Sequence, residues 1–389
     1  MLVAFACGAH AHAAPASFDG WLAEVRADAV QRGLVNPAVD DALARVRYVD
    51  RVVELDRRQP ELTQTFWRYL DSHVTEERVA QGRAYLGAYD SLLTEAYQRW
   101  GVQPRVVVAL WALESDFGRT QGDFDVVSVL ATLAFDGRRA EFFRQQLFAM
   151  LELVNRGDLP GTARGSWAGA IGQAQFMPTT YRDYAIDFDG DGRRDLRDSL
   201  PDVIASAANY LAAVGWSPSA GWGQEVVLPP GFDYAESGLD GERPLSEWLA
   251  RGIRSADGAD LPSSDLTASV LLPAGARGPA FLIYRNFRAI LHWNNSVLYA
   301  LAVGYLSDRI GGGGPLLAPR PDQEVAMSRY DVVELQSRLT TLGFEPGEPD
   351  GVVGEKTRRA IRDFQRSVEL PADGYPDPGL LSQLRVRSQ

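Results

Sequence analysis

The stretch Pro104–Gly118 (PRVVVALWALESDFG) limits what this chain can fold into more than any other. Pro104 suits the first position of a helix, where its missing N–H is no loss. Val107, Leu110, Trp111 and Glu114 then recur at i, i+3, i+4 and i+7, one face of that helix. The face is apolar until it ends in a carboxylate. A carboxyl held against Val, Leu and Trp is hard to ionise, so its pKa should rise. A carboxylic acid still protonated near neutral pH can donate a proton to a leaving group. Gly118 is expected to stop the helix and leave room beside the acid. A lone glutamate near a helix end is more often a solvated charge; the surrounding chain reverses that default.

The 389 residues predict two or three domains, and 46% apolar content is ample for their cores. Net charge is −12, with no basic patch, which argues against sequence-independent nucleic-acid binding. No run of eighteen apolar residues occurs, so no membrane span is expected. The first residues read as the end of a secretion signal: Ala11 and Ala13 fit the small-x-small cleavage rule, which predicts a signal over 1–13 and a periplasmic protein. Cys7, the only cysteine, lies inside that segment. Ala4-Phe5-Ala6 before it is a poor lipobox, so lipoprotein anchoring is not expected. The mature chain would then hold no cysteine and no thiol chemistry.

Residues 18–100 read as helical. Ser17 caps one helix closed by Gly33, Asn36 and Pro37 start another, and further helices are expected over 72–82 and 86–100. The aromatic run 60–69 packs by default, though Tyr69 could face a cleft. A long helical stretch over 126–155 is expected to break at Asp136-Gly137. Residues 164–181 (RGSWAGAIGQAQFMPTTY) differ in kind. Gly165, Gly169 and Gly172 allow close approach to the backbone, and Gln173 and Gln175 sit beside Phe176, Met177 and Pro178. Amides with flat apolar faces suit a sugar; a tight packing turn is the alternative reading.

Asp187, Asp189 and Asp191 fall at positions 1, 3 and 5 of a calcium loop, with Gly192 at 6 and the Arg193 carbonyl at 7. Asp198 stands at position 12, shorter than the usual Glu; Asp202 is a second choice if the loop is longer. A structural Ca2+ is expected, and no organic cofactor. A helix over 202–214 follows. Residues 216–279 alternate strand-like pieces with turns and one short helix, a β-containing insertion. Helix then returns over 292–310, opened by Asn294, Asn295 and Tyr299. Residues 311–327 are a Gly/Pro linker. Residues 328–389 form three short helices around Leu335, Leu339, Leu342, Ile361, Phe364 and Leu384, near the lower limit for independent folding. With no His or Cys, this unit is expected to bind rather than catalyse.

Taken together, the ALESDFG helix, the GAIGQAQFMPTTY turn, and DFDGDGRRDL followed by SAANYL resemble the lytic murein transglycosylase B family. The resemblance covers about 18–310. The last residues, with LQSRLTTLGF, DGVVGEKTRRAI and FQ, resemble the type 1 peptidoglycan-binding domain. This implies a mainly α protein: a lysozyme-like α core over 14–310, a small inserted β-containing subdomain at about 216–285, and a C-terminal three-helix wall-binding domain. Glu114 matches the family's single catalytic acid. Tyr69, Ser166, Gln175, Asn209, Tyr210, Asn294 and Tyr299 match residues that line the glycan groove. Trp293 stands where the family often has Tyr, which keeps the ring and leaves its hydrogen bond open. Asp187, Asp189, Asp191, Arg193 and Asp202 match a lengthened calcium loop, favouring Asp202 over Asp198.

The implied reaction is cleavage of the MurNAc–GlcNAc β-1,4 bond with formation of 1,6-anhydromuramic ends, by a monomer acting on peptidoglycan glycan strands. A hydrolytic muramidase using the same Glu114, and a noncatalytic wall-binding scaffold, are the rival readings. Asp116, Asp123 and Asp125 are near enough in sequence to be weighed as a second carboxylate. Only His73 and His292 lie beyond the expected signal, which disfavours Ser–His–Asp and zinc chemistry.

Overall fold

The computed structural model describes residues 17–57, 64–258, 261, 265–321 and 325–388. The expected signal at 1–13, Cys7 and residues 60–63 of the aromatic run lie outside them, as do 322–324 of the linker. In chain order the helices are α1 (Phe18–Gln31), α2 (Pro37–Arg45), α3 (Asp50–Arg57), α4 (Phe66–His73), α5 (Glu76–Ala88), α6 (Asp90–Trp100) and α7 (Pro104–Ser115). Then come β1 (Phe124–Asp125), α8 (Val126–Asp136), α9 (Ala140–Arg156), β2 (Arg164–Gly165), α10 (Pro178–Tyr184) and α11 (Leu200–Ala213). The sheet region holds β3 (Gly223–Val227), β4 (Arg243–Pro244), α12 (Leu245–Ala250), β5 (Arg254–Ser255), β6 (Thr267–Leu271) and β7 (Ala280–Ile283). The chain ends in α13 (Arg285–Trp293), α14 (Val297–Ile310), α15 (Arg329–Thr341), α16 (Glu355–Ser367) and α17 (Pro378–Arg387).

The chain divides into two compact units, one of residues 1–58 and 121–183, the other of 59–120 and 184–389. In the first unit α8 and α9 bury Leu130, Leu147, Met150 and Leu151. Gly137 at φ 92° breaks the apolar stretch as its sequence implies. Gly165 tolerates no side chain: a Cβ there would sit 2.2 Å from the Ala170 carbonyl oxygen. The closest approach at that glycine is therefore the chain's own backbone.

In the second unit α7 is buried all round, with Val106, Val107, Val108, Ala109, Leu110, Trp111 and Ala112 inside. The periodicity predicted one apolar face; a helix apolar on every side belongs at a centre. The five strands run antiparallel in the order β4-β6-β7-β3-β5. They fold over Trp248, Leu245, Ile253 and Val270, and the Trp248 indole donates to Ala268 O at 2.9 Å. Trp222, just before β3, lies on Gly304 of α14 and donates to Asp308 Oδ2 at 2.8 Å, which ties the sheet to that helix.

Several helix boundaries differ from expectation. The helix expected over 72–82 is two, because Thr75 caps a new helix at α5 through the Arg78 N–H. The short helix α3 lies in the stretch read as helical but was not singled out there. The helix expected over 292–310 breaks at 294–296, where Ser296 caps α14 by accepting the Tyr299 N–H at 3.3 Å. The Gly/Pro linker is also less free than its composition suggests. Glu225 accepts the Leu317 and Ala318 N–H groups at 2.7 Å each, and Arg320 pairs with Asp71.

The C-terminal helices enclose Leu335, Leu339, Ile361, Phe364 and Leu384. Two buried glutamines brace its two Asp-Gly loops in the same way. Gln336 bonds Asp350 Oδ1 and the Gly351 N–H; Gln365 bonds Asp373 Oδ1 and the Gly374 N–H.

Candidate active site

Glu114 stands in the last turn of α7, and the backbone after it is unusual. Asp116 (φ 50°), Phe117 (φ 59°) and Gly118 (φ 84°) are all left-handed. The helix therefore ends at Asp116 rather than at Gly118 as expected. A bulky residue in that conformation is strained. Packing holds it: Phe117 is buried, edge-on to Trp111 at 5.4 Å and to Tyr85 at 5.0 Å. Ser115 Oγ also accepts the Gly118 N–H at 2.9 Å.

Two donors reach the Glu114 carboxyl, and both fall on Oε1. The Trp293 indole N–H donates at 2.8 Å, and the Tyr299 hydroxyl donates at short range. Trp293 thus supplies the hydrogen bond left open by its sequence. No hydrogen bond reaches Oε2 among the described residues, so Oε2 is the oxygen positioned to carry a proton. Burial is the largest influence on this group and pushes its pKa up to about 7, against the opposing pull of Tyr299 and Trp293. Glu114 keeps a share of accessible surface all the same. Tyr299 itself is raised well above the usual tyrosine value by burial and by the Glu114 charge, so it remains a donor.

The supporting residues of the same unit have distinct tasks. Tyr69 is buried, acts on the Tyr299 hydroxyl electrostatically, and stacks on His73 at 4.0 Å. Tyr210 donates to His292 O at 2.9 Å and packs edge-on to Trp293 at 5.4 Å, which fixes the indole. Asn209 accepts from Trp100 Nε1 at 3.1 Å and donates to Tyr184 O at 2.9 Å, bracing α11. The Asn294 side chain makes no hydrogen bond among the described residues and lies in the α13–α14 break. Ser166 and Gln175 belong to the other unit. Ser166 Oγ accepts the Ala168 and Ala170 N–H groups at 3.3 and 3.0 Å. Gln175, at φ 48°, donates to Gly172 O at 2.8 Å and Gln121 O at 3.3 Å.

Of the other carboxylates weighed from the sequence, two have partners of their own, while Asp123 is exposed. Asp116 pairs with Arg119 at 3.0 Å and faces Arg78 at 3.6 Å; Asp125 caps α8 through the Ser128 N–H at 2.8 Å. In the acidic loop, carboxylate oxygens of Asp187, Asp189 and Asp202 lie within 4.8 Å of one another. Asp202 is fully buried and accepts the Phe188 and Asp195 N–H groups at 2.8 and 2.7 Å. Asp191 accepts the Arg193 N–H at 2.8 Å, and exposed Asp198 stands outside the cluster. A set of hard oxygen donors this close fits a cation of the calcium type.

Residues to which sequence reasoning assigned no role, or another one, also shape the site. Phe117 and Asp116 set the left-handed exit, and Ser296 starts the helix that carries Tyr299. A serine three residues before Tyr299 is a helix-start signal that could have revealed the break.

A helical core with an inserted sheet, and a carboxyl at the end of a central helix whose pKa burial raises to about 7, define a lysozyme-like class of protein. The transglycosylase SLT domain family matches residues 17–308, and a peptidoglycan-binding domain family matches 328–384. The chain belongs to the transglycosylase SLT family. It is 30% identical over 296 residues to the membrane-bound lytic murein transglycosylase B of Escherichia coli K12, covering 72% of this chain and 79% of that one. The structure of SltB3 from Pseudomonas aeruginosa in complex with NAG-anhNAM-pentapeptide superposes with a TM-score of 0.92 at 47% identity, over 95% of this chain and 100% of that one. The Escherichia coli lytic transglycosylase Slt35 in complex with calcium gives 0.65 at 29% identity, over 75% and 92% of the two chains.

Proposed function

We propose that the protein is a peptidoglycan lytic transglycosylase in which Glu114 is the only acid and base. The observation that carries this reading is the Glu114 carboxyl itself, raised to about 7 and hydrogen-bonded on Oε1 alone. The proton on Oε2 passes to the bridging oxygen of the MurNAc–GlcNAc bond, and the C1–O bond breaks. Positive charge on C1 is shared with the N-acetyl oxygen of the same sugar. The muramyl C6 hydroxyl then attacks C1, and Glu114, now a carboxylate with Trp293 and Tyr299 still donating to it, takes the hydroxyl proton. The ring closes as a 1,6-anhydro end, no water enters, and the acid is restored. That Asp116 and Asp125 are engaged elsewhere supports a single-carboxylate mechanism over one with a paired nucleophile.

Tyr69, Asn294, Tyr210, Asn209, Ser166 and Gln175 are assigned to the glycan groove. The domains are assigned as a signal over 1–13, a catalytic domain over 14–310 with its β insertion, a linker over 311–327 and a wall-binding domain over 328–389. Export places the enzyme in the periplasm. Asp187, Asp189 and Asp202, with Asp191 and the Arg193 carbonyl, are assigned to Ca2+, which would neutralise the clustered carboxylates and brace the start of α11. Mass spectrometry of sacculi digested by the purified protein tests the reaction. Anhydromuramic ends are expected; reducing ends in their place would make it a hydrolase.

A further inference from the structure

Three polar side chains interrupt the apolar helix α11. Asp202, Ser206 and Asn209 stand at i, i+4 and i+7, on one face. Each holds the same piece of backbone, residues 184–188. Asp202 accepts the Phe188 N–H at 2.8 Å, Ser206 Oγ accepts the Ile186 N–H at 2.8 Å, and Asn209 donates to Tyr184 O at 2.9 Å. Asp202 and Ser206 are fully buried, and breaking such a bond leaves an unmet polar group. The face is therefore a firm seam. Trp100 closes it from α6: its indole donates to Asn209 Oδ1 at 3.1 Å, and its ring lies 5.5 Å from that of Phe188.

One end of the seam is the acidic loop. Asp202 belongs to both, and Asp187 lies between the seam residues Ile186 and Phe188. The other end is the acid. Tyr210 follows Asn209, with its ring edge-on to Tyr184 at 5.0 Å and to Trp293 at 5.4 Å. Its hydroxyl donates to His292 O at 2.9 Å. The indole so placed donates to Glu114 Oε1 at 2.8 Å. Every link from Asp202 to Glu114 is a hydrogen bond or a ring contact, and all of them lie within the second unit.

We propose that Tyr210 is a positioning residue for the acid: it holds the Trp293 indole on Glu114 and, through Asn209 and the seam, ties that donor to the acidic loop, so that a cation held there steadies it. The inference rests on the readings of Glu114 and of the loop given above and joins them. Without a cation the carboxylates of Asp187, Asp189 and Asp202 repel one another, and the repulsion acts where the seam begins. Burial, Tyr299 of α14 and Trp293 of α13 are what act on Glu114. Arg78 of α5 faces Asp116 instead, and Tyr69 of α4 acts through Tyr299. Trp293 is one of the two groups that pull the Glu114 pKa down, so loosening it raises that pKa.

The test titrates calcium into the full chain by calorimetry, with no substrate present. Coupling is reciprocal, so Tyr210→Leu binds calcium about fivefold more weakly than wild type. Tyr210→Phe, which keeps the ring, recovers most of the loss. Trp100→Phe, which keeps a ring against Phe188 and releases Asn209, gives a smaller loss. The alkaline limb of kcat/KM is the second readout. A chelator moves it up by about half a pH unit in wild type, the scale of one neutral hydrogen bond, and leaves it unmoved in Tyr210→Leu. Equal calcium affinity in wild type, folded Tyr210→Leu and Trp100→Phe overturns the proposal. So does a chelator shift that persists in Tyr210→Leu, which would come from the field of the ion itself. A wild type that binds no calcium refutes the cation assignment and this coupling with it. Reducing ends in the product refute the transglycosylase reading and leave the coupling standing.

Discussion

Glu114 on α7 and Glu334 on α15 both accept several hydrogen bonds on a helix, yet they stand at opposite ends of the carboxylate range. Glu334 lies at the surface, partly accessible, gripped by Arg385 and Arg338 with contacts of 2.6 to 2.9 Å, and is pushed down to about 2. Glu114 is enclosed, accepts only from an indole and a hydroxyl, and is pushed up to about 7. The difference shows that hydrogen bonds alone do not set acidity. Charged donors in water stabilise the carboxylate, whereas neutral donors in a poorly solvated pocket orient it without repaying its desolvation. A proton donor needs the second arrangement.

The largest effect should come from removing the enclosed carboxyl. Glu114→Gln should lower turnover of sacculi about a thousandfold or more, measured by release of anhydro-muropeptides. Its stability should move the other way. Between the unfolded value of 4.5 and about 7 the folded state binds more protons than the unfolded one, so wild type loses stability as pH rises through this window. Glu114→Gln lacks that loss and should melt above wild type at pH 8. Equal melting at pH 8 would mean that the carboxyl is as well solvated as Glu334.

Next in size is Tyr299→Phe. Removing a donor that favours the carboxylate should raise the Glu114 pKa further and carry the alkaline limb of kcat/KM to higher pH. A downward shift would show that Tyr299, not burial, governs the acid. The acidic loop is a third environment, with carboxylates crowded together. At saturating Ca2+ the melting temperature should rise by about 5 °C, and Asp187→Ala should abolish the rise; a melting curve indifferent to chelator would count against calcium there. The smallest effect belongs to Glu334→Gln. Its contribution is present above the unfolded value of 4.5 and fades as pH falls toward about 2. As a surface pair still open to solvent it should change the melting temperature at pH 7 by only about one degree. A larger drop would show that this surface network holds the three helices together.

Much of this was legible locally. The spacing of Val107, Leu110, Trp111 and Glu114 announced a carboxyl carried on an apolar helix, because residues within four positions share a face whatever surrounds them. The spacing of Asp187 and Asp189 announced a cluster of carboxylates, and the leucine spacing after Ser328 announced three packed helices. Their partners were a different matter. Trp293 and Tyr299 lie 179 and 185 residues from Glu114, and no local pattern says that the α13–α14 break will deliver both donors to one oxygen. Residue spacing along the chain offered both Asp198 and Asp202 for the acidic loop, with the family resemblance favouring Asp202; the fold sets Asp202, from inside α11, beside Asp187 and Asp189. Likewise the indole of Trp222 meets Asp308 only once the sheet packs on α14. Short-range periodicity decides which side chains are available; long-range packing decides which of them meet and how much water remains between them, and it is that remaining water that sets the acidity of Glu114.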